Sequence, residues 1–252
     1  KNEIVELVKD YVHPETGKTY NVDKLELKTD EGRGFGKAKF ILKEGGTLGD
    51  LYTHADLKRD INGNVLIDDS GNVTAIDNAG DIKLGSVLPK ANLAWNNSFS
   101  YKGINAGFLL TARLGGIVYS ATQAYLDLYG VSETSAAARD AGGVWINGRS
   151  HVNPQSFYEV VASQSGLPTY YTYSATNLRL QEAHIGYTVP RRWLGNVCDI
   201  NVSLVGRNLW MIYCKAPFDP EAVATTNNYY QGIDYFMMPS TRNIGFNIKI
   251  NF

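Results

Sequence analysis

No apolar run in the 252 residues approaches the roughly 18 that a membrane-spanning helix needs, which excludes a helical membrane protein. A β-barrel stays open, because barrel strands alternate and their hydropathy averages out. Charge is sparse: Asp, Glu, Lys and Arg make up 19% of the chain, below the roughly 25% of an ordinary soluble domain. The formal net charge is −1, so there is no electrostatic footprint for nucleic acid or for an anionic membrane surface. Cysteine is nearly missing. A continuous strand between Cys198 and Cys214, at ~3.3 Å per residue, would hold them far beyond disulfide reach, and both read as isolated thiols. His13, His54, His151 and His184 are scattered, with no Ser, Cys or carboxylate at a catalytic spacing and no metal-ligand spacing. Neither catalytic residues, nor a metal or other cofactor, nor a leader before Lys1 is expected.

Tyr (16) and Gly (25) are plentiful, and period-two alternation dominates the second half. In the last stretch Ile244, Phe246, Ile248, Ile250 and Phe252 share one parity, against Asn243, Gly245, Asn247, Lys249 and Asn251. The same contrast runs through 91–101, with Leu93, Trp95, Phe99 and Tyr101 on the apolar side. After a tight Lys102-Gly103 turn it continues through 104–116. Further strands fall at 173–189, 198–212 and 240–252, with a slip near Gln181-Glu182 that reads as a β-bulge. A sixth strand is expected to end near residues 1–5. Short turns alternate with long loops, as in outer-membrane barrels, where a strand of about 9–11 residues crosses the bilayer.

The long connections interrupt this pattern. Residues 1–90 are the least regular and read mainly as an extracellular loop. They contain a repeated ribbon, Gly63-Asn64-Val65 and Gly71-Asn72-Val73, led by turn signals. Asp60, Asn62, Asn64 and Asp68 resemble a calcium loop, but Gly71 stands where the bidentate Glu belongs, so turn chemistry is the better reading. Loop 119–170 carries three short helices, at 121–128, 134–139 and 154–162. Loop 214–239 is rich in aromatics. Insertions of this length are usually functional.

Several motifs in order carry a resemblance. They are Tyr173-Ser-Ala-Thr-Asn-Leu-Arg-Leu-Gln-Glu182, Gly186-Tyr-Thr-Val-Pro190, Gly206-Arg-Asn-Leu-Trp210, Lys215-Ala-Pro-Phe-Asp-Pro-Glu221 and Pro239-Ser-Thr-Arg242 before the terminal Phe252. Lys43-Glu-Gly-Gly46 and Gly49-Asp-Leu-Tyr52 also fit. Together they resemble the C-terminal part of SusC/RagA-type TonB-dependent outer-membrane transporters. The resemblance implies an all-β fold: about 5–6 antiparallel strands, with long extracellular loops, of a transmembrane barrel of about 22 strands. The domain reading is 1–90 mainly extracellular loop and 91–252 barrel strands with loops 119–170 and 214–239, with the plug domain absent. An open sheet edge in hydrocarbon leaves backbone groups unpaired, so the expectation is one piece of a longer barrel in the Gram-negative outer membrane.

The implied function is import of oligosaccharides or peptides. The implied partners are the rest of the barrel and its plug, a SusD-like surface lipoprotein, the TonB complex and outer-membrane lipid. Alternatives are a passive porin or adhesin barrel, or a soluble all-β glycan-binding module. Within a transporter, loop aromatics suit substrate contact, and the candidates are Trp145, Tyr170, Tyr171, Tyr229 and Tyr230. The competing roles for these rings are loop packing and an interfacial girdle.

Overall fold

The computed structural model describes residues 2–27, 37–148, 150–163, 166–195, 197–224 and 231–251. Tyr229, Tyr230 and Phe252 lie outside the described residues. The chain divides into two compact units. The first comprises Lys1–Leu88, Ile117–Tyr173 and Val223–Met237, and the second Pro89–Gly116, Ser174–Ala222 and Met238–Phe252.

In chain order, the first unit opens with β1 (Val8–Val12), β2 (Thr19–Val22), β3 (Lys24–Leu27), β4 (Ala38–Lys43), β5 (Asp50–Thr53), β6 (Asp56–Leu57), β7 (Ala75–Ile76) and β8 (Ile82–Ser86). The second unit then supplies β9 (Ala91–Tyr101) and β10 (Ile104–Leu114). Next come β11 (Ile117–Ser120), α1 (Ala121–Leu128), α2 (Glu133–Asp140), β12 (Val144–Ile146), β13 (Ser150–Val152), α3 (Pro154–Val161) and β14 (Thr172–Ser174). Strands β15 (Asn177–Val189) and β16 (Asp199–Cys214) belong to the second unit. They are followed by β17 (Ile233–Asp234) in the first and β18 (Asn243–Asn251) in the second.

The second unit is one antiparallel sheet, ordered β18-β16-β15-β10-β9. Its register lines up the apolar parities of five strands. Phe99, Ala106, Ile185, Leu204 and Phe246 form one cross-sheet row, and Tyr101, Ile104, Tyr187, Val202 and Ile248 form the next. This face is bare. Trp95, Phe99, Leu204 and Ile244 are all more than half exposed, and Phe246 reaches 78%. A contiguous apolar surface spanning five strands exceeds what soluble monomers leave open. The opposite face carries the rows Ser100, Asn105, Gly186, Ser203, Asn247 and Asn96, Leu109, Glu182, Arg207, Asn243. There Arg207 Nε donates to Glu182 Oε2 at 3.0 Å.

The slip in β15 is real. Leu109 and Leu110 pair with Glu182 and Leu180, so Gln181 is the extra residue. A second irregularity follows in β16, where Arg207 and Trp210 flank two residues against the single Gln181. Asn208 takes up the strain with φ +50°, a conformation that Asn tolerates better than most residues. Its Oδ1 accepts from Gln181 Nε2 at 2.7 Å, and its Nδ2 donates to the Thr241 carbonyl at 3.1 Å. Lys102 and Gly103 both have positive φ, as a tight hairpin turn requires. Stretch 173–189 is broken before β15, because Ala175 N donates to the Gly116 carbonyl and Thr176 Oγ1 accepts from Gly115 N. Cys198 and Cys214 are free thiols.

The first unit is more ordered than its sequence suggests. Strands β3-β4-β5-β8 form a four-stranded antiparallel sheet. Phe40, Leu51, Leu57 and Val87 pack with Tyr119, Phe157, Val161 and Ile233 in one core. No strand forms in 2–7 among the described residues. Ile4 instead exchanges backbone hydrogen bonds with Gly45 and Gly46. The repeated ribbon is a pair of Asx turns eight residues apart. Asp60 Oδ1 accepts from Asn62 N and Asn64 N, and Asp68 Oδ1 accepts from Ser70 N and Asn72 N, all within 2.9 Å. The carboxylates are thus engaged in turn chemistry, and no metal-ligating cluster is found among the described residues.

Candidate functional site

Three helices build the loop region of the first unit, each started by a side chain that satisfies backbone N–H groups. Ser120 Oγ accepts from Gln123 N at 3.0 Å, Ser132 Oγ from Ser135 N at 2.9 Å, and Asn153 Oδ1 from Gln155 N at 2.9 Å. Pro154 occupies the first turn of α3, where its missing N–H costs nothing. Ser120 also donates to Asp234 Oδ2 at 2.5 Å, which fastens β17 in parallel beside β11.

Between these helices and the β12–β13 hairpin lies a pocket of about 460 Å³. Its wall includes Trp145, Tyr158, Tyr170, Tyr171 and Tyr173, with Arg59 and Asp127 as its charged residues. Trp145 is mostly exposed and packs edge-on to His151 across the hairpin, with centroids 3.7 Å apart. Phe157 lies edge-on to both Tyr158 and Tyr170, at 5.3 and 6.1 Å. The hairpin is seated by Asn147, whose amide copies a strand partner: Oδ1 accepts from Val65 N at 3.0 Å and Nδ2 donates to the Val65 carbonyl at 2.9 Å.

Asp127 is the hub. It is buried and accepts from the Ser132 hydroxyl, from Gln123 Nε2 at 3.2 Å and from the Tyr171 hydroxyl at 3.0 Å. Burial, then the negative charge of Asp127, raises the phenols of Tyr158 and Tyr171 above the usual range and pushes Tyr173 to about 12. All three are therefore neutral hydroxyls at physiological pH. Of the sequence candidates, Trp145, Tyr170 and Tyr171 are brought to this one pocket. Tyr171 is 2% exposed with its hydroxyl committed to Asp127, so it contributes wall rather than reach. Tyr158, Tyr173, Asp127 and Arg59 were not legible as site residues. The nearest signal was the clustering of tyrosines between 158 and 173.

The second unit holds a separate polar knot in a pocket of about 360 Å³. Arg179, on β15 and almost wholly buried, donates through Nη2 to Asp219 Oδ1 at 2.8 Å and lies 3.2 Å from Glu221 Oε2. Its Nη1 reaches Ser240 Oγ at 3.5 Å. Asp219 also accepts from Glu221 N at 3.1 Å and Ser240 N at 3.2 Å. Burial works to raise the Asp219 carboxyl, but these bonds and the Arg179 charge outweigh it and hold it below the usual carboxylate range. One arginine thus ties together the residues just after β16 and just before β18.

No family model matches the chain. It is 23% identical over 254 residues to TonB-dependent receptor P3 of Formosa agariphila, covering 90% of this chain and 24% of that protein. In fold it is similar to the RagAB peptide transporter, with a TM-score of 0.61 and 17% identity over 94% of this chain and 26% of that one. A structure of the RagAB peptide importer in its closed-closed state gives a TM-score of 0.54 at 15% identity, over 91% and 28% of the two chains. The chain therefore spans about a quarter of the curated relative it matches. These similarities bear out the resemblance to SusC/RagA-type TonB-dependent transporters and the reading of the five-stranded sheet as barrel wall. They indicate an outer-membrane protein.

Proposed function

We propose that this chain forms wall and mouth of a TonB-dependent outer-membrane transporter that imports oligosaccharides or peptides together with a SusD-like surface lipoprotein. The observation that carries the reading is the apolar face shared by all five strands of the second unit. Such a face is stable against hydrocarbon and unstable against water. The first unit supplies the mouth, and its aromatic pocket with Trp145, Tyr170 and Tyr171 is the ligand-contact region. Aromatic walls with a few fixed polar groups suit sugar rings and peptide side chains alike. Tyr229 and Tyr230 are assigned to the same mouth by their place in loop 214–239.

The test is a fractionation and an uptake assay on the polypeptide that carries this chain, expressed in a Gram-negative host. The expected result is a band in the outer-membrane fraction whose gel mobility shifts on boiling, with uptake of labelled oligosaccharide or peptide that stops when TonB is deleted. Recovery of the protein in the soluble fraction without detergent, or uptake indifferent to TonB, would sink the reading.

A further inference from the structure

The two charged residues that line the aromatic pocket, Arg59 and Asp127, are partnered differently. Arg59 is the only cation among the described residues lining it. Its charge is already matched: Nε donates to Asp56 Oδ2 at 2.9 Å and Nη1 to the Gly63 carbonyl at 3.0 Å, while Asp56 also accepts from Thr169 Oγ1 at 3.1 Å. Asp127 has no such match. Its hydrogen-bond donors are two hydroxyls and an amide, all neutral, and no salt bridge to it forms among the described residues. Arg139, in a neighbouring concavity that Asp127 and Tyr158 also line, donates to the Gly130 carbonyl at 2.8 Å. Arg139 opposes Asp127 at the Tyr158 phenol, whereas the Tyr171 and Tyr173 phenols are raised first by burial and then by the Asp127 charge, with no cation acting against it there.

Aromatic faces are negative at their centres, and a cation above them is attracted most strongly where water is excluded. A buried carboxylate behind the rings adds to that attraction, since it was desolvated on folding and needs no further reorganisation. An anionic ligand group would meet the opposite field.

We propose that the pocket walled by Trp145, Tyr158, Tyr170, Tyr171 and Tyr173, with Asp127 behind it, selects an organic cation: an ammonium or guanidinium group carried by the substrate. The inference rests on the reading of this pocket as the ligand-contact region. The cation can come from a basic peptide side chain or from an amino sugar, and the two sources share this chemistry.

Matched pairs decide the matter, with binding to the detergent-solubilised full-length protein read from Trp145 fluorescence and Trp145→Phe subtracting the other tryptophans. The pairs are Nα-acetyl-lysine methylamide against its norleucine analogue, and glucosamine against glucose. The charged member of at least one pair should bind about tenfold more tightly and weaken with added salt. Preference in the lysine pair alone assigns the cation to a peptide, and preference in the glucosamine pair alone assigns it to an amino sugar. Asp127→Asn, which keeps the shape, should remove the preference; the wild-type pairs stand alone, so they decide the question even where that variant misfolds. Equal binding within both pairs overturns the cation proposal and leaves the ligand-contact reading standing. No Trp145 response to any of the four overturns both.

Discussion

Replacing Arg179 by methionine removes the cation from a knot that the fold has closed around it. Arg179 is 4% exposed, and its two terminal nitrogens serve Asp219, Glu221 and Ser240. Deleting one partner of a buried ion pair costs about 3–5 kcal/mol, because the other charge is left desolvated. Two features put this case at the lower end. Asp219 keeps its backbone donors from Glu221 and Ser240, and the Glu221 side chain is 40% exposed and can turn to water. A loss of about 3 kcal/mol at neutral pH is therefore expected, more than a hundredfold in the unfolding constant. The pH dependence carries the diagnosis. In the wild type the folded Asp219 carboxyl titrates below its unfolded range. Its contribution is complete above the unfolded pKa and lost as pH falls through the lower folded one. In Arg179→Met the carboxylate has lost its cation while remaining buried, so protonation relieves it and the deficit should shrink in acid. Urea titrations in detergent at neutral and acidic pH, followed by tryptophan fluorescence, measure both quantities. A wild-type midpoint for the variant, or a deficit that does not change with pH, would refute the reasoning.

Two further outcomes follow from the sheet. Phe246→Arg puts a charge on the bare apolar face and should cost about 2–4 kcal/mol of folding into lipid vesicles if the site lies near the bilayer midplane. Asn247→Arg, one residue on and facing the other way, should be tolerated, and equal losses on a heat-modifiability gel would contradict the assigned faces. At the β16 irregularity, Asn208→Gly should cost less than Asn208→Val, because a β-branched residue at φ +50° pays about 1–2 kcal/mol for the left-handed conformation. Thermal melting of the two variants in one detergent separates them.

The barrel wall was legible because its physics is local. A strand with lipid on one side and water on the other must alternate, so the parities of Leu93 to Tyr101 and Ile244 to Ile250 gave strand, face and approximate ends together. The Gln181 bulge showed as a break in parity, and helices α1 to α3 fall on the stretches 121–128, 134–139 and 154–162 that read as helical, while their capping Ser, Ser and Asn emerge only in the structure. The sheet β3-β4-β5-β8 escaped notice because its strands are four to six residues long and buried on irregular parities, as in the Ala38–Lys43 pattern. The pocket was half legible. Trp145, Tyr170 and Tyr171 stood out as loop aromatics, but their convergence depends on Asn147 pairing with Val65, 82 residues away. Asp127 gave no signal, since a carboxylate inside an amphipathic helix reads as solvent-facing until its donors are counted. The Arg179 knot lay within motifs whose partners, at 179, 219, 221 and 240, only the folded sheet brings together.

The parallel pairing of β11 with β17 sets an order of events. The chain passes back and forth between the two units, and the Tyr119–Ile233 pair closes a segment that contains β15 and β16, two of the five wall strands. Contacts this distant in sequence are slow to form, since the loop entropy is spent before they reward it. The first unit therefore waits for residues 231–237, and the wall sheet waits for β18 just beyond them. A polypeptide stalled before position 231 would hold two half-built units, each with exposed apolar surface and unpaired strand edges. Both units should complete nearly together, and truncation before position 231 should leave neither one protease-resistant.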